Sequence, residues 1–162
     1  MQLPDFKNEP LSDFKGSPEH SRKMKEALEE VAKELGRDYP LVIGGERIPT
    51  SDKLVSYDPG QKDRIVGTFS KADKALAERA ITAADTAFKS WSRVPHEERV
   101  KYLLAAAKII RDRKYYYEAW LVYEVGKTWP EADADVAETI DFCEFYAREM
   151  LRLGGPQPLV PV

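Results

Sequence analysis

Acidic side chains crowd one stretch near the end of the chain. Residues 131–144 contain Glu131, Asp133, Asp135, Glu138, Asp141 and Glu144. Paired carboxylates can perform general acid–base chemistry, although a charge-rich helix is more often only a solvated face. Glu138 differs because it lies one helical turn before Phe142 and close to Phe145. Because an acid beside apolar side chains favours a site, Glu138 is our candidate functional residue, with an ordinary surface acid as the alternative.

Cys143 is the only cysteine and therefore the obvious candidate nucleophile. It falls on a stripe at helical spacing whose members are Val136, Ile140, Cys143, Ala147 and Met150. Free cysteine is among the most frequently buried residue types, and no histidine or basic residue is spaced to lower its pKa. We interpret Cys143 as a buried structural residue and assign no catalytic residue to this chain.

Metal and phosphate sites are not predicted. His20 and His96 each lack the second ligand at i+3 or i+4 that a histidine metal site requires. Gly44-Gly45 and Gly154-Gly155 do not have the spacing of a dinucleotide fingerprint or a P-loop. They are simpler to interpret as a turn and a linker.

Composition restricts the remaining classes. The chain has 162 residues, 43% of them hydrophobic and 33% charged, with a net charge of −3. These values indicate a soluble globular domain, and the lack of a basic excess argues against a nucleic-acid partner. No apolar run approaches the roughly 20 residues that span a bilayer, and residues 1–10 do not resemble a signal peptide. A single cysteine fits a reducing compartment, so we expect a cytoplasmic protein.

The pattern predicts a mainly α-helical chain with a small β-hairpin unit. Residues 1–37 are interpreted as an extended arm followed by a helix that begins at Ser17-Pro18 and ends near Gly36. Residues 38–69 contain β-prone runs on either side of Gly44-Gly45 and of Asp58-Pro59-Gly60.

Residues 70–153 are predicted to be helical. Ser70, with Asp73 three residues on, is expected to begin a helix that turns one apolar face inward, and Pro95 begins the next helix. The run 111–114 is expected to break that helix, and Gly126 to end the following one. Thr128 and Glu131 fit a capping box for a last helix that runs to about residue 153. The apolar face of the first of these helices comprises Leu76, Ala80, Ala84, Phe88 and Trp91.

The order of several motifs resembles the N-terminal part of an aldehyde dehydrogenase. These are LVIGGERI, YDPGQKDRIVGT, a helix ending in AFKSW, EERVKYLLAAAKIIRDR and the stop at residues 124–127. Each motif alone is weak, but the ordered set is specific. NEPLSDF, ELGRDYPLVIGGE and KTWPEADADVAETIDFCEFYAREM narrow the resemblance to the 1-pyrroline-5-carboxylate dehydrogenase, or glutamate-semialdehyde dehydrogenase, family, over roughly residues 6–160.

The resemblance implies an NAD-dependent, homo-oligomeric parent of α/β fold. Its reaction is the oxidation of L-glutamate γ-semialdehyde to L-glutamate in proline catabolism. Residues 70–153 would belong to the cofactor-binding domain, and residues 154–162 would lead toward the oligomerisation strands. Glu138 matches the helix glutamate that faces the small-molecule substrate in this family. The family's catalytic cysteine, general-base glutamate and dinucleotide-binding strands would lie beyond Val162.

Two alternatives stay open from the sequence. One is an aldehyde dehydrogenase that acts on a different aldehyde, which the sequence beyond Val162 would distinguish. The other is a non-enzymatic helical interaction module, which a monomeric and cooperatively melting 162-residue chain would favour.

We expect the 162-residue chain alone neither to oxidise the semialdehyde nor to bind NAD. The reason is that its sequence has no nucleophile loop and no phosphate-cradling glycine loop. Titration calorimetry of the purified chain with NAD checks this expectation, and micromolar binding would contradict it.

Overall fold

The computed structural model describes residues 2–157 and consists mainly of helices, as predicted. Within these residues, one helix is followed by five short strands and then by four further helices. That order is α1 Pro18–Ala32, β1 Arg37–Tyr39, β2 Leu41–Ile43, β3 Glu46–Ile48, β4 Lys53–Tyr57, β5 Ile65–Ser70, α2 Lys74–Trp91, α3 His96–Asp112, α4 Lys114–Val125 and α5 Trp129–Gly154. The predicted linker at 154–162 lies partly outside the described residues, and Gly154 belongs to α5.

Helix α1 begins where its sequence predicts. The Ser17 hydroxyl accepts a hydrogen bond from the His20 backbone N–H at 3.4 Å, and Pro18 occupies the first turn. The helix ends at Ala32, earlier than predicted, and a turn leads to Gly36 with φ +77°. A glycine is needed there because other residues rarely adopt positive φ.

The β region forms two separate sheets. Strands β2 and β3 make the predicted antiparallel hairpin, with Val42 opposite Arg47 and Gly44 and Gly45 in the turn. Strands β4 and β5 pair antiparallel across the second turn. The sequence prediction missed β1, which pairs in parallel with β5 and places Arg37 opposite Gly67.

Helix α2 differs from prediction in its start and in its burial. Ser70 ends β5, while Asp73 is the N-cap and accepts from the Leu76 N–H at 2.8 Å. No residue of α2 is buried, and Phe88 and Trp91 are 61% and 44% exposed. The predicted inward face is therefore uncovered by the part of the chain that the structure describes.

Helices α3, α4 and α5 pack together and contain the core nearest the carboxylates. Arg113 interrupts the helix between α3 and α4, as the charged run 111–114 predicted. The Glu131 carboxylate accepts from the Thr128 backbone N–H at 3.0 Å, as a capping box requires. Helix α1 packs on α4 through the buried Met24, Val31 and Ala119.

Among residues 2–157, no helix has both the length and the apolar character needed to cross a membrane.

The end of α4 generates a stability prediction. Gly126 has φ +69°, and a Cβ there would stand 2.9 Å from Pro59 Cγ. Its N–H donates to Val122 O, which is the bond of the αL motif, and the next N–H donates to Leu121 O. Gly126→Ala should lower the free energy of unfolding by about 1–3 kcal/mol, measured by urea unfolding.

The matched control for this change is Gly155→Ala. Gly155 has φ −84°, and an added Cβ would meet nothing within 4 Å. We expect the control to change stability by less than about 0.5 kcal/mol. Equal losses in the two variants would contradict the prediction.

Candidate functional site

Glu138 lies on the exposed face of α5, in an open groove of about 310 Å³. The groove is lined by Phe6, Asn8, Glu138, Asp141, Phe142, Phe145 and Tyr146. The structure thus places Glu138 beside Phe142 and Phe145, the neighbours that helical spacing indicated. The face is wetter than the sequence suggested, because the two rings are 51% and 43% exposed. The role of Glu138 stays a prediction.

Aromatic rings form one side of the groove. Phe142 and Tyr146 stack with their centroids 5.9 Å apart, and Phe145 meets Tyr146 edge-on at 5.4 Å. Phe6 of the N-terminal arm meets Phe145 edge-on at 5.6 Å. Exposed ring faces and edges of this kind can contact a planar or cationic group.

The N-terminal arm, residues 2–17, supplies the other side. Asn8 Nδ2 donates to Asp141 Oδ2 at 2.7 Å. The Glu9 backbone N–H donates to Asp141 Oδ1, also at 2.7 Å. Both carboxylate oxygens of Asp141 are therefore engaged by the arm.

Every other acid of α5 has a partner. Within residues 2–157 the acceptor and donor pairs are Glu131 with Thr128, Asp133 with Lys114, Asp135 with Lys127, Asp141 with Asn8, Glu144 with Arg111 and Arg148, and Glu149 with Arg152. In the same described range, Glu138 forms neither an ion pair nor a side-chain hydrogen bond. Glu138 is therefore the α5 carboxylate that is available to a ligand.

A charged network fixes the arm against α3 and α5. Arg111 on α3 contacts Glu9 at 2.7 Å and Glu144 at 2.6 Å. Arg148 contacts Glu144 at 3.1 Å and donates to the Pro4 carbonyl at 3.0 Å. Burial opposes ionisation of Glu144, but the hydrogen bonds from the two arginines outweigh it and hold the pKa of Glu144 below its usual range.

A second set of contacts, the buried anchor of Lys114 and Asp133, also holds the arm, and it was not predicted from the sequence. Lys114 Nζ lies 2.7 Å from Asp133 Oδ1 and donates to the Pro10 carbonyl at 3.0 Å. The Ser12 backbone N–H donates to Asp133 Oδ2 at 2.9 Å. Burial disfavours the Asp133 anion, yet hydrogen bonds from Lys114 and Ser12 keep the pKa of Asp133 below its usual range.

Glu118 completes this anchor in its neutral form. Its side chain is fully buried, and neither of its carboxyl oxygens accepts a hydrogen bond from the described residues. Burial, followed by the charge of Asp133, raises the pKa of Glu118 to about 8. Two adjacent buried carboxyls do not ionise together, so Asp133 carries the charge and Glu118 the proton. Spacing alone could not reveal this, because Glu118 and Asp133 lie on different helices.

Cys143 is half-buried, whereas the sequence predicted a buried residue. It packs at the edge of a cluster formed by Ala107, Val136 and Ile140. The stripe itself is confirmed, since Val136, Ile140 and Ala147 are buried. Cys143 is less covered because it lies at the margin of the contact between α3 and α5.

The remaining candidates have local roles. His20 Nδ1 accepts from the Asp13 N–H at 2.9 Å, and His96 Nε2 lies 3.2 Å from Glu97 Oε1. Gly44-Gly45 joins two antiparallel strands, so it is not the strand-to-helix loop that cradles a dinucleotide. The described residues hold no cluster of three metal-ligating side chains.

Comparison with known proteins decides the family. Residues 48–160 match the model of the aldehyde dehydrogenase family. The chain belongs to the aldehyde dehydrogenase family.

Two curated relatives with similar sequences are described as 1-pyrroline-5-carboxylate dehydrogenases. The chain is 54% identical over 152 residues to 1-pyrroline-5-carboxylate dehydrogenase 1 of Halalkalibacterium halodurans, covering 93% of this chain and 29% of that protein. It is also 54% identical over 155 residues to 1-pyrroline-5-carboxylate dehydrogenase of Geobacillus kaustophilus, covering 95% and 30%. The chain thus spans about 30% of the length of these relatives.

Solved aldehyde dehydrogenase structures share the fold. A Thermus 1-pyrroline-5-carboxylate dehydrogenase with bound NAD superposes with a TM-score of 0.93 at 50% identity, covering 100% of this chain and 31% of that one. The Mycobacterium tuberculosis Delta-pyrroline-5-carboxylate dehydrogenase bound with NAD gives a TM-score of 0.86 at 28% identity, covering 99% of this chain and 30% of that one. The mainly helical architecture with small sheets is therefore part of an aldehyde dehydrogenase fold.

The buried carboxyl generates a pH prediction. The folded chain retains the Glu118 proton up to about pH 8, whereas the unfolded chain releases it near 4.5. The folded state binds more protons between these values, so the free energy of unfolding should fall with rising pH, by up to about 1.4 kcal/mol per unit. Glu118→Gln should remove this slope, measured by urea unfolding across that pH range.

Glu78→Gln is the control, since Glu78 is exposed on α2 and should keep the wild-type slope. Parallel pH profiles for the wild type and Glu118→Gln would show that Glu118 is not the group responsible.

Proposed function

We propose that the protein to which this chain belongs is an NAD-dependent 1-pyrroline-5-carboxylate dehydrogenase. It oxidises L-glutamate γ-semialdehyde to L-glutamate. The observation that supports this most is the 54% identity to a relative of that description across 93% of the chain. A cytoplasmic location and a homo-oligomeric assembly belong to the same proposal.

The described residues contribute a scaffold and one substrate-facing acid. The reaction class requires a thiolate that attacks the aldehyde, a hydride acceptor and a water that hydrolyses the thioester. Cys143 is half-buried against an apolar cluster, so we do not assign it the nucleophile. NAD, when bound elsewhere in the enzyme, supplies the hydride acceptor.

Glu138 is the acid that we assign to the substrate. It lies in a groove, has aromatic neighbours and, within residues 2–157, is not engaged by another side chain. Its carboxylate accepts a hydrogen bond from the substrate amine or orders a water near the aldehyde carbon. Such a group accelerates the reaction by orienting the reacting atoms, not by taking the proton in the chemical step.

The test uses a chimera in which this chain replaces the matching segment of the H. halodurans relative. Glu138→Ala in the chimera should lower kcat/KM for the semialdehyde by about 10- to 1000-fold, or about 1.4–4 kcal/mol. NAD affinity and thermal stability should stay close to those of the parent chimera. The measurements are steady-state kinetics, NAD titration and a thermal melt.

Two controls accompany this variant. Glu138→Gln retains the size of the side chain and removes only its charge, which separates charge from packing. Glu78→Ala removes an exposed acid on α2 and should leave kcat/KM within about twofold of the parent. A folded chimera without activity, or a Glu138→Ala variant with unaltered kcat/KM, would contradict the proposal.

A further inference from the structure

The N-terminal arm runs antiparallel to α5 and contacts it at three places along its length. Ser12 meets Asp133 near the start of α5, Asn8 meets Asp141 in the middle, and Phe6 meets Phe145 one turn later. The contacts at Asp141 and Phe145 fall in the groove that contains Glu138. The arm therefore forms one wall of this groove and also packs along α5.

Asp141 lies three residues after Glu138, on the same side of α5. An unengaged Asp141 would be a second anion beside Glu138 and would compete for the same substrate groups. The arm prevents this, because Asn8 Nδ2 and the Glu9 N–H take its two oxygens at 2.7 Å each. Of these two donors, only Asn8 uses a side chain, so it can be changed without altering the backbone.

We propose that Asn8 is a positioning residue of the substrate groove. Through Asp141 it fixes the arm wall and leaves Glu138 as the carboxylate that meets an amino-acid-derived aldehyde. This inference rests on the proposed function, since it requires the groove to bind that substrate. Loss of the Asn8 contact should loosen the wall and weaken substrate binding in the ground and transition states alike, which raises KM more than it lowers kcat.

The test exchanges the two partners in the same chimera. Asn8→Asp places two carboxylates in contact and should raise KM for the semialdehyde by about 3- to 10-fold, with kcat changed less than about twofold. Combining Asn8→Asp with Asp141→Asn restores a side-chain hydrogen bond in the opposite direction, and KM should return to within about twofold of the parent. KM for NAD should not change in either variant.

Lys7→Ala is the matched control in the arm, because Lys7 is exposed and does not line the groove. A second readout uses the 162-residue chain without any activity assay. Amide hydrogen exchange at Glu9 reports its bond to Asp141, so Asn8→Asp should accelerate the exchange and the double variant should slow it again.

Each result decides between the two proposals. If Glu138→Gln impairs the chimera but Asn8→Asp leaves KM unchanged, the positioning inference fails and the proposed function stands. If the double variant does not recover, the effect of Asn8→Asp does not arise from the bond to Asp141, and the inference fails as well. If neither Glu138→Gln nor Asn8→Asp changes the kinetic constants for the semialdehyde, the assignment of substrate to this groove is wrong.

Discussion

The buried ion pair between Lys114 and Asp133 is the interaction on which the arm, α4 and α5 depend. Lys114 begins α4, Asp133 lies in the first turns of α5, and each also binds the arm backbone, at Pro10 and Ser12. Both charges are nearly removed from water, so loss of either partner would leave the other uncompensated, which is strongly destabilising. Glu118 beside this pair stays neutral, because its own burial and then the charge of Asp133 raise the pKa of its carboxyl group.

This anchor determines which carboxylates can serve a ligand. Once Ser12 is fixed, the rest of the arm lies beside α3 and α5, where Glu9 contacts Arg111 of α3 and Asn8 contacts Asp141 of α5. The other acids of α5 accept hydrogen bonds or form ion pairs, some with the arm and the others with neighbouring side chains. Within residues 2–157, Glu138 is therefore the carboxylate of this acid-rich helix that remains without a side-chain partner. The number of acids in the sequence does not reveal this.

Local chemistry made much of the fold predictable. Pro18 after a serine cap, two glycines between β-prone runs and Gly126 at a helix end determine backbone geometry within a few residues. Long-range strand pairing explains why β1 and the start of α2 were predicted wrongly. Strand β1 forms only because Arg37–Tyr39 meets β5 some thirty residues later, and the same sheet draws Ser70 into a strand, so Asp73 caps α2 instead.

The candidate site was likewise predictable only in the part that is local in sequence. Helical spacing placed Glu138 with Phe142 and Phe145 because all three lie on one face of a single helix. The arm wall was not predictable, since more than 130 residues separate Asn8 from Asp141 and no periodicity links them. A carboxylate in an open groove is also a weak site on one helix alone, because water competes for it on every other side. The arm removes part of that competition by closing one side with Phe6 and by occupying Asp141, so the shape of the groove arises from a long-range contact between the N-terminal arm and α5.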